Sequence, residues 1–222
     1  MNDIYSLAKT IQKMDPNERE NWLLSLSVNE LEYIVKYVPY HLREKQMPPP
    51  GDSSKWRTLL MLAGRGFGKS EAAAWWLRYK LDQGLTSMAV IGPTIDEINS
   101  TIIKRFIEVI PPTYDVIKKG ISRLIITNTL TGVVCEVDIK SPVKEIRGAN
   151  WQAVVVDELI KWCDAIQEKI EERFASMEMA LRKGDPQIFI ATTPKPFNIL
   201  KDIQARSNTI TVKGTTFENN SI

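Results

Sequence analysis

The stretch from Leu59 to Ser70, Leu-Leu-Met-Leu-Ala-Gly-Arg-Gly-Phe-Gly-Lys-Ser, leaves the chain few folds to choose from. A short apolar run, long enough for a buried strand, feeds a glycine-rich turn, and Glu71-Ala72-Ala73-Ala74-Trp75-Trp76 then reads as helix. Glycines let such a loop curl so that successive N–H groups point inward, and the helix adds its own unpaired N–H groups and the positive end of its dipole. The segment Gly64-Arg65-Gly66-Phe67-Gly68-Lys69-Ser70-Glu71 is therefore expected to cradle nucleotide phosphates, with Lys69 reaching the β- and γ-phosphates and the Ser70 hydroxyl holding Mg²⁺. Ala63 stands where the usual loop has its first glycine, and Gly64, Gly66 and Gly68 supply the flexibility nearby. The alternative is an ordinary glycine-rich turn, and the motif alone does not name a reaction.

A second signal lies about ninety residues on. Ala153-Val154-Val155-Val156 reads as a strand buried on both faces, and it delivers Asp157-Glu158 at its carboxyl end. Two acids at such a place are costly unless used. Asp157 is expected in the magnesium shell and Glu158 beside the water that attacks the γ-phosphate, against the alternative of an exposed acidic turn. Gln187 to Ala191 reads as another buried strand, leaving through Thr192-Thr193-Pro194. Both threonines are candidates for sensing the γ-phosphate, or else they cap the following turn.

Around these signals the chain alternates in the manner of an α/β protein. Met88 to Ile91 is a short apolar strand ending at Gly92-Pro93-Thr94, and the helix after it carries Ile98, Ile102, Phe106, Ile107 and Ile110 on one stripe up to Pro111-Pro112. Leu124–Leu130 and Val133–Ile139 read as a hairpin around Thr131-Gly132, inserted into the parallel sheet or at its edge. Ile166, Ile170, Phe174, Met177 and Leu181 recur at helical spacing as core.

Residues 1–45 read as a helical N-terminal segment. Ile4, Leu7 and Ile11 share a face, Asp15-Pro16 opens a second helix, and Ser27 with Glu30 forms a capping box for a third with Leu31, Ile34, Val35 and Val38 inward. His41, the only histidine, has no ligand-spaced neighbours and is expected at the surface without a role. Gln46 to Gly51, Gln-Met-Pro-Pro-Pro-Gly, reads as a linker into the main domain. Gln46 is a candidate for reading the adenine edge, because its amide donates and accepts at once, with a plain loop residue as the alternative.

Composition sets outer limits. The formal charge is +2, from 29 basic and 27 acidic residues, so any DNA-binding surface would have to be local. Cys135 and Cys163 lack metal-ligand spacing, and no apolar stretch approaches membrane-spanning length. A reducing, intracellular setting without membrane contact is expected.

Taken as an ordered set, these segments resemble the large terminase subunit of tailed bacteriophages, the ATP-driven motor that packages viral DNA. The resemblance is carried by Gln46 to Pro50 with Trp56, Ala-Gly-Arg-Gly-Phe-Gly-Lys-Ser, Gly92-Pro93-Thr94 and Ile146-Arg147-Gly148. It continues through Val156-Asp157-Glu158-Leu159 with Trp162, Ala191 to Pro196, and Gly214 to Asn219. It implies that Arg147 is an arginine finger offered in trans to a neighbour's ATP, a task suited to a permanently charged group spanning two phosphate oxygens, with a salt bridge beside the hairpin as the alternative. It also implies that Arg65 touches the γ-phosphate or a neighbour, and that the segment around Thr192 and Thr193 couples hydrolysis to movement.

The expectation is thus an α/β, additional-strand P-loop ATPase: a mostly parallel twisted sheet with helices on both faces, with residues 46–222 as the motor. ATP and Mg²⁺ are the expected ligands. The implied partners are double-stranded DNA, the portal protein and the small terminase subunit. The chain would work as a homo-oligomeric ring in the host cytoplasm, docked transiently on the procapsid, with a monomer as the alternative state in isolation. The nuclease domain that follows in such proteins is expected to be absent here, so no nuclease activity is expected. A helicase-like remodelling ATPase and a non-hydrolysing nucleotide-binding module are the alternatives.

Overall fold

In a computed structural model, residues 4–49, 51–142, 146, 149–215 and 218 are described. Three helices, α1 (Ile4–Lys13), α2 (Pro16–Ser25) and α3 (Val28–Tyr37), precede a single turn of 3₁₀ helix at Glu44–Gln46. The main body then alternates β1 (Thr58–Ala63), α4 (Lys69–Asp82), β2 (Ser87–Ile91), α5 (Ile95–Ile98) and α6 (Lys104–Glu108). It continues with β3 (Tyr114–Lys118), β4 (Arg123–Asn128), β5 (Val134–Lys140), β6 (Ala153–Asp157), α7 (Gln167–Ala180), β7 (Gln187–Thr192), α8 (Asn198–Ala205) and β8 (Thr209–Gly214).

The strands form one sheet in the order β3-β4-β5-β2-β6-β7-β1-β8. From β5 to β8 every neighbouring pair is parallel, while β3, β4 and β5 are joined antiparallel at one edge. The expected hairpin is therefore β4–β5 at the sheet edge, and β3 extends it beyond what the alternation predicts. Strand β7 lies between β1 and β6, so the strand feeding the glycine loop and the strand bearing the acid pair are separated by one added strand. This is the additional-strand P-loop arrangement. It brings the carboxyl ends of β1, β6 and β7 to one end of the sheet, with Met61 beside Ala191 and Asp157 beside Ala191 in register.

Both faces of the sheet are covered, and the strands accordingly lack polar alternation. On one face α4 presses Ala72, Ala73, Trp76 and Leu77 against Met61, Val155 and Phe189. The three consecutive alanines let the helix run close to the strands. On the other face α7 and α8 pack Phe174, Met177, Leu200 and Ile203 against Leu60, Val154 and Ile190. The N-terminal helices form a third cluster that closes on Trp75, on the far side of α4, so α4 is buried nearly all round, its Arg78 and Lys80 included.

Several local expectations change. Val35 and Ile166 are exposed, because α3 packs through Ile34 and Val38 instead, and α7 starts one residue beyond Ile166. The helix after Thr94 is not uniform: a π-helical turn spans Asn99–Ile103 between α5 and α6. Gln46, the first residue of the expected linker, ends a 3₁₀ turn and is buried.

Candidate nucleotide site

The glycine loop leaves β1 at Ala63 and enters α4 at Lys69. Gly66 and Gly68 hold φ of 77° and 86°, a region that side chains disfavour, so these two glycines are what allow the loop to turn its amides inward. Gly68 also abuts the amide of Gln46, leaving no space for a Cβ. The loop forms one wall of a cavity of about 410 Å³ whose other walls come from Pro93, Glu97 and Thr101 and from Asp157, Glu158 and Lys161. Gly64, Arg65, Gly66, Phe67, Gly68, Lys69 and Ser70 all line it. Of these, Arg65 is exposed at the rim and the Phe67 side chain is fully buried.

Lys69 is folded back on its own loop. Its Nζ donates to the carbonyl oxygens of Ala63 at 2.9 Å and Gly64 at 3.2 Å, and lies 3.4 Å from Glu158 Oε1. Glu158 stands in the left-handed region with φ of 44°, and its N–H donates to Ala191 O at 2.6 Å. That turn is held by Lys161 N–H donating to Glu158 O, and the strand end by Trp162 Nε1 donating to Asp157 O at 3.1 Å. The backbone strain thus aims the Glu158 side chain across β7 toward the loop. Thr193 Oγ1 completes its surroundings, donating to the carboxylate at 3.2–3.3 Å.

Asp157 is different. Burial, and then the neighbouring charge of Glu158, raise its pKa to about 6, against the smaller opposing effect of Lys69. A carboxylate so poorly compensated suits a bound dication. Ser70 and Asp157 line the same cavity, and a hydroxyl with a carboxylate is the hard oxygen set that Mg²⁺ takes alongside phosphate oxygens. Among the described residues no cluster of three His, Cys, Asp or Glu side chains could hold a metal unaided.

The structure separates the other expected residues. Gln46 does not face the cavity; its Nε2 donates to Phe67 O at 3.1 Å and its Oε1 accepts from Arg43 N–H at 3.0 Å, so its amide supports the loop from behind. Glu71 also faces away from the cavity. Its carboxylate accepts from Arg105 at 2.7 and 2.9 Å, from Trp75 Nε1 at 2.8 Å, and sits 2.9 Å from His41 Nε2. Burial opposes its ionisation, yet the His41 and Arg105 contacts prevail and bring its pKa down to about 2. Thr192 is fully buried, with a hydroxyl that has no hydrogen-bond partner among the described residues, and lies on the α8 side of the sheet with Ile188 and Ile190. Arg147 lies outside the described residues, as do Thr216, Phe217 and Asn219.

Sequence reasoning missed three contributors. Arg43 donates to Phe67 O and to Glu218 O and stacks its guanidinium 4.5 Å over the Phe67 ring. His41 joins the Glu71 cluster, and Lys161 lines the cavity. The first two act over long sequence separations and carry no motif. Lys161, four residues after Asp157, was readable as the next turn of the same segment.

Comparison with known proteins agrees with this fold. Residues 60–214 match the family model described as "Terminase large subunit, T4likevirus-type, N-terminal". Among solved structures, the large terminase ATPase domain of Thermus phage P74-26 is similar with a TM-score of 0.62 at 18% identity, covering 87% of each chain. The large terminase of a second, thermophilic bacteriophage gives 0.62 at 15% identity, covering 81% of this chain and 47% of that one. The complex of that same terminase with ADP gives 0.65 at 12% identity, covering 82% and 47%. The chain therefore spans about half the length of the thermophilic phage protein. At these identities the likeness is one of fold. No curated protein matches the sequence.

Proposed function

The chain belongs to the family of T4-like-virus-type terminase large subunits, and on that premise we propose that it hydrolyses ATP to drive double-stranded DNA into a viral procapsid. The observation that carries this reading is the convergence of Lys69, Asp157 and Glu158 on one cavity walled by the glycine loop. In it the loop amides and the α4 N-terminus bind the phosphates, and Lys69 leaves the Ala63 and Gly64 carbonyls to neutralise the β- and γ-phosphates. Ser70 and Asp157 would hold Mg²⁺, which when bound would offset the negative charge of the phosphates. Glu158 orients the attacking water and accepts its proton, with the Thr193 hydroxyl keeping the carboxylate in place.

Arg147 acts on a neighbouring subunit's ATP, and Arg65 at the rim contacts the γ-phosphate or that neighbour. The working assembly is a ring of identical subunits on the portal protein, served by the small terminase subunit, in the host cytoplasm. Among the described residues no helix is long and apolar enough to cross a membrane. No nuclease chemistry is assigned to these residues.

The test is steady-state ATP hydrolysis against protein concentration for the unaltered chain and for Arg147→Ala. A specific activity that climbs with concentration and is lost in the variant supports a site shared between subunits. Activity independent of both would leave an ATPase and remove the finger.

A further inference from the structure

Beside the nucleotide site, on the α8 face of the sheet, lies a larger groove of about 710 Å³ that the proposed chemistry does not use. None of its lining residues belongs to the phosphate cavity. Its floor is apolar, made by Leu62, Pro194, Pro196 and Leu200, and its rim carries Lys45, Lys195, Lys201 and Lys213 against, among the described residues, one carboxylate, that of Glu218. Lys45 is already paired with Glu218 at 2.9 Å. The ammonium groups of Lys195, Lys201 and Lys213 are exposed and have no ion pair or hydrogen bond among the described residues. For a chain whose net charge is only +2, this is a marked local concentration of positive charge, of the kind that attracts a polyanion.

We propose that this groove grips the phosphate backbone of duplex DNA through Lys195, Lys201 and Lys213. The proposal rests on the DNA-motor reading above and gives it a surface. The three lysines come from three elements: the β7–α8 connection, α8 and β8. Three ammonium groups on separate elements suit a polyanion such as duplex DNA, which presents a charge about every 1.7 Å along its axis. A free nucleotide is the less suitable occupant, because its phosphates already have the glycine loop. The groove is also mechanically joined to the hydrolytic site. Thr193, whose hydroxyl touches Glu158, is two residues from Lys195, and Pro194 and Pro196 on either side of that lysine stiffen the wall between them.

The test is fluorescence anisotropy of a labelled duplex titrated with the full chain over a range of salt, with nucleotide binding followed separately by a fluorescent ATP analogue. The groove variant is Lys195→Gln/Lys201→Gln/Lys213→Gln. The control variant, Lys9→Gln/Lys13→Gln/Lys118→Gln, removes equally exposed lysines elsewhere. Loss of three phosphate contacts is expected to weaken duplex binding roughly tenfold or more at low salt and to flatten the slope of log K against log salt by roughly 2–3. The control variant is expected to keep both. Equal losses in the two variants, or unchanged duplex binding in the groove variant, would overturn the proposal, as would loss of ATP-analogue binding with duplex binding intact. If the unaltered chain fails to bind the analogue at all, it is the ATPase reading that falls, and the duplex result still judges the groove.

Discussion

Lys69 Nζ and Glu158 Oε1 stand 3.4 Å apart, both largely buried, so that the site's cation and its candidate base hold each other. Phosphate binding has to take Lys69 from this carboxylate and from two backbone carbonyls. Glu158→Gln is therefore expected to lower hydrolysis by roughly 10²–10⁴-fold while leaving ATP affinity equal or tighter, by up to about tenfold. Equilibrium binding of a fluorescent ATP analogue checks it. Markedly weaker binding in the variant would mean that Glu158 supports the nucleotide instead of restraining Lys69.

Asp157 makes the site a source of instability. Its folded-state pKa, raised from 3.8 to about 6, means that the folded chain keeps a proton that the unfolded chain has lost. Stability contributed by this group is accordingly present at low pH, falls as pH rises through that window, and is level above it. Asp157→Asn is expected to remove this dependence and to stabilise the nucleotide-free protein by about 1–3 kcal/mol near neutral pH. Chemical denaturation across the window measures both. A destabilised asparagine variant would contradict the assignment.

Glu71 has the opposite sign. Its pKa is depressed from 4.5 to about 2, so the stability it contributes is present above the unfolded value and is lost as pH falls between the two. It joins three parts of the chain, because His41 precedes the main domain, Trp75 is one turn along α4, and Arg105 belongs to α6. Glu71→Gln is expected to cost about 2–3 kcal/mol at neutral pH, since Arg105 loses its partner in a half-buried place. Thermal melting of the variant tests this, and an unchanged midpoint would show the cluster to be energetically idle.

Gln46 offers a choice between two roles that a single measurement separates. Its amide is committed to Phe67 O and to Arg43, so Gln46→Ala should loosen the loop and weaken ATP and GTP alike, by roughly three- to tenfold. Competition binding with the two nucleotides gives the ratio. Selective loss of ATP affinity would restore the adenine-reading role.

Much of this was legible in the sequence wherever function is written in consecutive residues. The glycine loop, the acid pair at the end of β6 and the Thr192-Thr193 exit of β7 were all readable as strand ends, and the structure brings the loop, the acids and Thr193 together. What was not legible depends on partners far away in the chain. Thr192 and Thr193 look equivalent in sequence, but strand alternation sends one hydroxyl into the α8 side and the other to Glu158. Glu71 reads as part of the loop, yet it begins the outward face of α4, where Arg105 lies 34 residues on. Strand β3 and the pair α8–β8 carry no turn or motif signal strong enough to set them apart, and the sheet's edges supply their order.

The measurement closest to the central claim is steady-state release of phosphate from ATP by the unaltered chain, Lys69→Ala and Glu158→Gln, each with and without a chelator of Mg²⁺. The account predicts turnover by the unaltered chain that disappears in both variants and on chelation, because one cavity supplies the phosphate cation, the metal ligands and the base. Turnover persisting in both variants would place the hydrolytic site elsewhere and contradict it.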